Sequence, residues 1–168
     1  IFQKLVQMDS LAHWIISQIS TWQIRIWLKE DKLDLAAQWM NESNLNITGD
    51  LPYIHETEYI AVARVLLAQG QLDSAADLLA RLQEAAEAGG RYRRVIELLL
   101  LRALTEQAGD NPQQAHELLE QALILGEPRN IIQTFVDEGP VSIDDKEWLG
   151  RVKISEVVGI PDVLLKTV

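Results

Sequence analysis

Any chemistry in this chain must come from a short set of side chains. The three histidines, His13, His55 and His116, are far apart and form no His-x-x-x-His pair. The spacing that puts two imidazoles on one helix face around a zinc ion is therefore missing. His55, Glu56 and Glu58 form the one suggestive acid–base group, and a solvated helix face is the simpler account of them. There is no cysteine, which excludes disulfides and thiolate metal sites. Gly70, Gly89 and Gly90 lack the spacing of a phosphate-cradling loop, and no serine sits in a Gly-x-Ser-x-Gly elbow. These observations point away from an enzyme, and no metal or cofactor is expected within this stretch.

Basic residues offer a second kind of chemistry. Arg91, Arg93 and Arg94 flank Tyr92 and could contact nucleic acid, but the polar start of a helix in an otherwise acidic molecule is the better account of them. The net charge of −10 argues against this chain gripping a phosphate backbone by itself, because that binding is driven by counterions released around Lys and Arg. In the tail, ISEVVGIPDVLLK has a faint helix-turn-helix look, yet Pro161 follows the turn and basic residues are few, so DNA reading is not expected there. Arg25 and Arg64 are more informative. They fall at equivalent points of two successive helices, with Gln18, Thr21, Lys29, Thr57 and Ile60 as neighbours on the same expected face. Helices stacked ~10 Å apart would set the two guanidiniums in a ladder able to hold a carboxylate, a phosphate or a sugar-rich ligand. The competing account is that each arginine pairs with a nearby acid, Glu30 or Glu58, and merely solubilises the groove.

The elements that carry these residues are helical. Apolar residues recur at three- and four-residue spacing over 10–30, 33–43, 53–69, 72–88, 92–108, 113–125 and 129–138. Ser10 is placed to cap the first of these, and residues 1–9 read as the end of a helix. Stops fall at 44–52 (NLNITGDLP), Gly70, Gly89-Gly90, Gly109-Asp110-Asn111-Pro112, Gly126-Glu127-Pro128 and Gly139-Pro140. The first long helix is unusually rich in large residues, with Trp14, Ile15, Ile19, Trp22 and Ile26 on one face. The tryptophans at 14, 22, 27, 39 and 148 could form a carbohydrate-stacking platform, but the first four fall in one hairpin at helix-face spacing, and core packing is the more economical account. No apolar run approaches the roughly 18 residues needed to span a bilayer. Opening on Ile1 without a signal pattern, the chain reads as an internal piece of a longer protein.

The helices come in pairs, and the pairs repeat. A step of 39 residues takes Trp14 to Tyr53 and Tyr92, Arg25 to Arg64, Leu33 to Leu72, Ala36 to Ala75 and Gly70 to Gly109. Beyond Gly109 a step of 40 fits better, with Ala75 to Ala115 and Leu79 to Leu119. An extra residue in the Asn111-Pro112 turn is the expected cause. In the middle pair, EYIAVARVLLAQGQLDSAADLLARL, alanines at 61, 63, 75 and 76 mark where two helices approach closely.

This pattern resembles the tetratricopeptide motif, at a repeat longer than its usual ~34 residues. The runs WQIRIWLKEDKLDLAAQWMNES, EYIAVARVLLAQGQLDSAADLLARLQEAAEAGGR, VIELLLLRALTEQAGD and FVDEGP more closely resemble the helical-repeat sensor region of MalT-like, LuxR-type transcriptional regulators. The resemblance implies an all-α, right-handed superhelix of tetratricopeptide-like hairpins over 1–140 (about 10–43, 53–88 and 92–126, with a capping helix at 129–138). Residues 141–168 depart from the family pattern and read as a divergent tail. It also implies a cytoplasmic sensing domain that takes a small-molecule inducer or a regulatory protein in its groove. Other domains of the parent regulator would be partners, and DNA would be bound only through a domain outside this stretch. A constitutive interaction or oligomerisation scaffold with no small-molecule site is the alternative.

Overall fold

The computed structural model describes residues 2–126, with side chains from residue 15 onward. Among the described residues there are six α-helices and no strand: α1 (Phe2–Lys29), α2 (Leu33–Glu42), α3 (Glu56–Ala68), α4 (Leu72–Ala88), α5 (Tyr92–Ala108) and α6 (Pro112–Gly126). A 3-10 turn, Tyr53–His55, leads into α3. The all-α helical-repeat fold expected from periodicity is the fold observed. The expected capping helix at 129–138 and the tail at 141–168 lie outside the described residues.

One turn geometry joins each first helix to its second. After α3, the N–H of Gly70 donates to the Leu67 carbonyl and that of Gln71 to Leu66, while Gly70 takes a positive φ of 73°. This is the Schellman arrangement, which satisfies carbonyls left open at a helix end. The same two bonds recur after α1, from Asp31 to Leu28 and Lys32 to Trp27, and after α5, from Asp110 to Gln107 and Asn111 to Glu106. Asp31 and Asp110 both have φ 59°, a region that aspartate tolerates better than most side chains. The second helix then starts at once. The carbonyls of Lys32, Gln71 and Asn111 accept from Ala36, Ala75 and Ala115, and all three alanines are buried.

These turns relocate the extra residue of the third pair. The left-handed position is Asp110, whereas Gly109 has φ −83° and ends the helix in a non-left-handed conformation. Because the three-residue turn is the same in every pair, the Asn111-Pro112 turn contains no insertion. The extra residue lies upstream: α5 has 17 residues, against three in the 3-10 turn plus 13 in α3. A glycine is the natural first choice for a left-handed cap, and here the aspartate beside it takes that role.

The start of α1 also differs from expectation. Ser10 lies inside the helix rather than capping it, because nothing in FQKLVQMD breaks the chain before it.

The chain forms two compact units, Ile1–Ala85 and Ala86–Val168. In the first, α1, α2 and α3 pack on one another. Ile24, Ala36, Ala61 and Val65 form a buried cluster, with Trp27, Leu28, Trp39 and Met40 packed around it. Full burial of Ile24 and of Val65 contributes roughly 1.5–3 kcal/mol each. In the second unit α5 and α6 form a hairpin, burying Val95, Ile96 and the leucines at 98–101 together with Ala115, Leu118, Leu119 and Ala122.

Between α2 and α3 the chain crosses a polar loop, 44–52, that has a defined internal structure. Asn46 Oδ1 accepts from the Thr48 and Gly49 N–H groups at 3.0 and 3.2 Å and from the Thr48 hydroxyl at 2.9 Å. A Cβ at Gly49 would lie 2.8 Å from Asn46 Nδ2, so a larger residue there would push the Asn46 amide aside. Arg81 of α4 then donates to the carbonyls of Ile47 and Gly49, and the Tyr59 hydroxyl lies 3.4 Å from the Asn46 carbonyl. The loop is held from two helices.

Candidate functional site

All seven candidate groove residues lie on α1 and α3, which pack directly against each other. The structure brings them together as helix neighbours but divides them by exposure. Arg25, Gln18, Thr57 and Arg64 are half-buried and Lys29 is exposed. Thr21 and Ile60 are buried, which corrects their assignment to an open face. The two occupy the same register position, 39 residues apart, and both lie on the packed side of their helices. The Thr21 hydroxyl is satisfied by its own helix, donating to the Gln18 carbonyl at 2.8 Å.

The arginines sit in distinct surroundings. The Arg25 guanidinium lies over the indole of Trp22, 5.3 Å from the ring centroid. That distance is within the range of a cation–π contact, worth ~0.5–1 kcal/mol at an exposed site. Neither Arg25 nor Arg64 is free of partners. The acids proposed as neutralising partners have other neighbours: Glu30 pairs with Lys32 at 2.6 Å, and Glu58 Oε2 lies 2.5 Å from His55 Nδ1. The second pair sits at the first turn of α3, where Glu56 and Glu58 place negative charge against the positive end of the helix dipole. Glu56 is buried, at 7% exposure, so a solvated face does not describe the whole His55-Glu56-Glu58 group.

Among the described residues no group of three or more His, Cys, Asp and Glu is placed to hold a metal ion. Within the basic cluster, Arg94 pairs with Glu97 one turn along α5, while Arg93 is exposed. No helix among the described residues is long and apolar enough to cross a membrane.

Two features escaped the sequence reading. Arg81 carries no motif: it is one arginine in ADLLARL, and only the fold brings it to a loop more than 30 positions earlier. The other is the exposure of the large-residue face of α1. Ile15, Ile19, Trp22 and Ile26 are all exposed, which corrects the expectation that the tryptophans are core. Trp27 and Trp39 do pack against the buried cluster, but Trp22 does not. The side chains of Trp14 and Trp148 lie outside the described residues.

A family profile described as the MalT-like TPR region matches residues 3–142. Comparisons with the curated proteins and with the solved structures gave no match.

Proposed function

Because the chain belongs to the family of MalT-like TPR regions, we propose that it is the sensing domain of a MalT-like, LuxR-type transcriptional regulator. In this reading an inducer or a regulatory protein binds the α1–α3 face in the cytoplasm and shifts the parent protein between resting and active states. The observation that carries it is the placement of Arg25 and Arg64 at equivalent positions of two helices in direct contact. Two half-buried arginines on adjacent rods suit a ligand bearing carboxylate, phosphate or many hydroxyls. The domain acts by recognition and not by catalysis, and DNA is reached only through another domain of the parent. A ligand that prefers one arrangement of the packed helices biases the equilibrium by its differential affinity.

The test is a pair of charge reversals, Arg25→Glu and Arg64→Glu, in the full-length regulator. Inducer response should fall sharply in each while the fold, followed by circular dichroism, is kept. Fractions of cell extract should raise the Tm of the unmodified chain by mass action and fail to raise that of the double variant. Intact activation in both variants, with no stabilising fraction, would sink the proposal. A constitutive scaffold is the second reading, and the exposed apolar face of α1 favours it. A scaffold predicts co-purification of a protein partner and no small-molecule shift in Tm.

A further inference from the structure

The helix α1 is 28 residues long, about 42 Å at the rise of an α-helix. One side of it is used within the protomer: Ser17, Thr21 and Ile24 are buried, and Leu28 packs against the core cluster. The opposite side carries Ile15, Ile19, Trp22 and Ile26, which are 45%, 60%, 57% and 52% exposed. Their alternating spacing of four and three residues is that of a coiled-coil seam. In the sequence the same alternation runs back through Ala12, Met8 and Leu5, and it ends at the charged Lys29, the last residue of α1. The stripe belongs to α1 and not to the repeat, because a step of 39 residues puts Glu58 and then Glu97 where Ile19 stands.

The residues flanking the seam say what covers it. With Leu5, Ala12, Ile19 and Ile26 at the a positions, Lys4, Leu11, Gln18 and Arg25 fall at g, and Asp9, Ile16, Gln23 and Glu30 at e. Two copies of α1 lying parallel and in register set each g residue against the e residue five places later in the other copy. Every pair then matches: Lys4 with Asp9, Leu11 with Ile16, Gln18 with Gln23 and Arg25 with Glu30. Antiparallel pairing would instead set g against g and e against e, bringing Lys4 to Arg25 and Asp9 to Glu30, like charge on like. Arg25 already lies over the Trp22 ring beside the seam. Glu30 pairs with Lys32 with both side chains about half exposed, so its carboxylate is open to a second cation.

We infer that α1 joins two copies of this chain as a parallel, in-register, two-stranded coiled coil along the stripe from Ile15 to Ile26. Isoleucines at a, with a tryptophan at the d position between them, suit two strands, and the e and g charges fix the direction. The dimer does not depend on a ligand at the α1–α3 face, and its tests leave Arg25 and Arg64 untouched.

Sedimentation equilibrium of the 168-residue chain should show a dimer that dissociates on dilution. Ile19→Glu with Trp22→Glu should raise its Kd on the order of a hundredfold or more. Ile124→Glu, at an exposed apolar residue of α6, should leave it unchanged. In solutions dilute enough to hold monomer, the double variant should keep nearly the Tm of the unmodified chain, which separates a lost interface from a lost fold. Orientation has its own readout. The chain has no cysteine, so Ile26→Cys supplies a single thiol that should form an interchain disulfide on mild oxidation. Gln38→Cys, on the exposed surface of α2, should not. A chain that stays monomeric at high concentration, a dimer that survives the double variant, or a dimer that Ile26→Cys fails to cross-link would each overturn the inference.

Discussion

The helices α1 and α3 occupy the same place in successive repeats, yet their surfaces meet different fates. In α3, Tyr59, Ile60, Ala61, Val62, Ala63, Val65 and Leu66 are all buried, leaving Arg64 the half-buried exception in the run. In α1 burial is confined to one side, and the other shows water a row of isoleucines and a tryptophan. The α3 sequence is the more apolar, with 9 apolar residues of 13 against 15 of 28 in α1, yet α1 still leaves a whole row of large apolar side chains to water. Burial in a repeat protein therefore depends on the stack as well as on the helix.

The largest test of that contrast exchanges like for like. Val65→Glu puts a carboxylate into a fully buried site and should cost more than about 4 kcal/mol. Ile26→Glu, its register partner, should stay within about 0.5 kcal/mol. Urea titrations of protein dilute enough to be monomeric, followed by circular dichroism, measure both, and similar losses would erase the distinction between the helices. A gentler version stays inside α1. Ile24→Ala removes a fully buried side chain and should cost about 2–5 kcal/mol, while Ile19→Ala on the bare side should cost under about 0.5 kcal/mol.

Smaller effects sharpen how the two helices are delivered and ended. Arg81→Met frees the Ile47 and Gly49 carbonyls in the loop leading to α3 and should cost about 1–2 kcal/mol. Faster hydrogen exchange at the Thr48 and Gly49 amides would report the loosened loop, and unchanged exchange would show that the Asn46 turn stands without the clamp. Gly70→Ala meets no atom within 4 Å, so its cost is the left-handed backbone alone, about 1 kcal/mol. At the matching end of α1, Asp31→Gly should shift stability by less than about 0.5 kcal/mol, with relief of φ strain nearly offset by glycine's extra freedom when unfolded. A large loss there would mean that the aspartate side chain contributes more than its backbone tolerance.

Much of this architecture was legible in the residues themselves. The limits of α4 and α5 follow directly from their periodicity and from the glycine-rich stops, and alanines 36, 75 and 115 mark the same buried point in each pair. Position 10 misled because a serine that could cap a helix is also an ordinary helix residue when no breaker precedes it. The turn at 109–111 misled because two neighbouring residues, a glycine and an aspartate, were both able to take the left-handed state. Trp22 misled for a deeper reason. Spacing shows which side chains share a face, but whether a neighbour covers that face depends on contacts outside the helix. The candidate site divided in the same way: Arg25 and Arg64 were found by register, while burial of Thr21 and Ile60 at their shared register position required the packing of α1 on α3 to be seen.

The clamp formed by Arg81 has a consequence for how this repeat can change over generations. A nine-residue polar stretch such as 44–52 would ordinarily drift freely in length and accept a spliced tag or a protease nick. Here two of its carbonyls are measured against one side chain on another helix. A single residue gained or lost between Asn46 and Gly49 would pull those carbonyls out of reach. Loop length and the identity of residue 81 should therefore vary together among relatives, an arginine accompanying the nine-residue spacing and disappearing where the spacing changes.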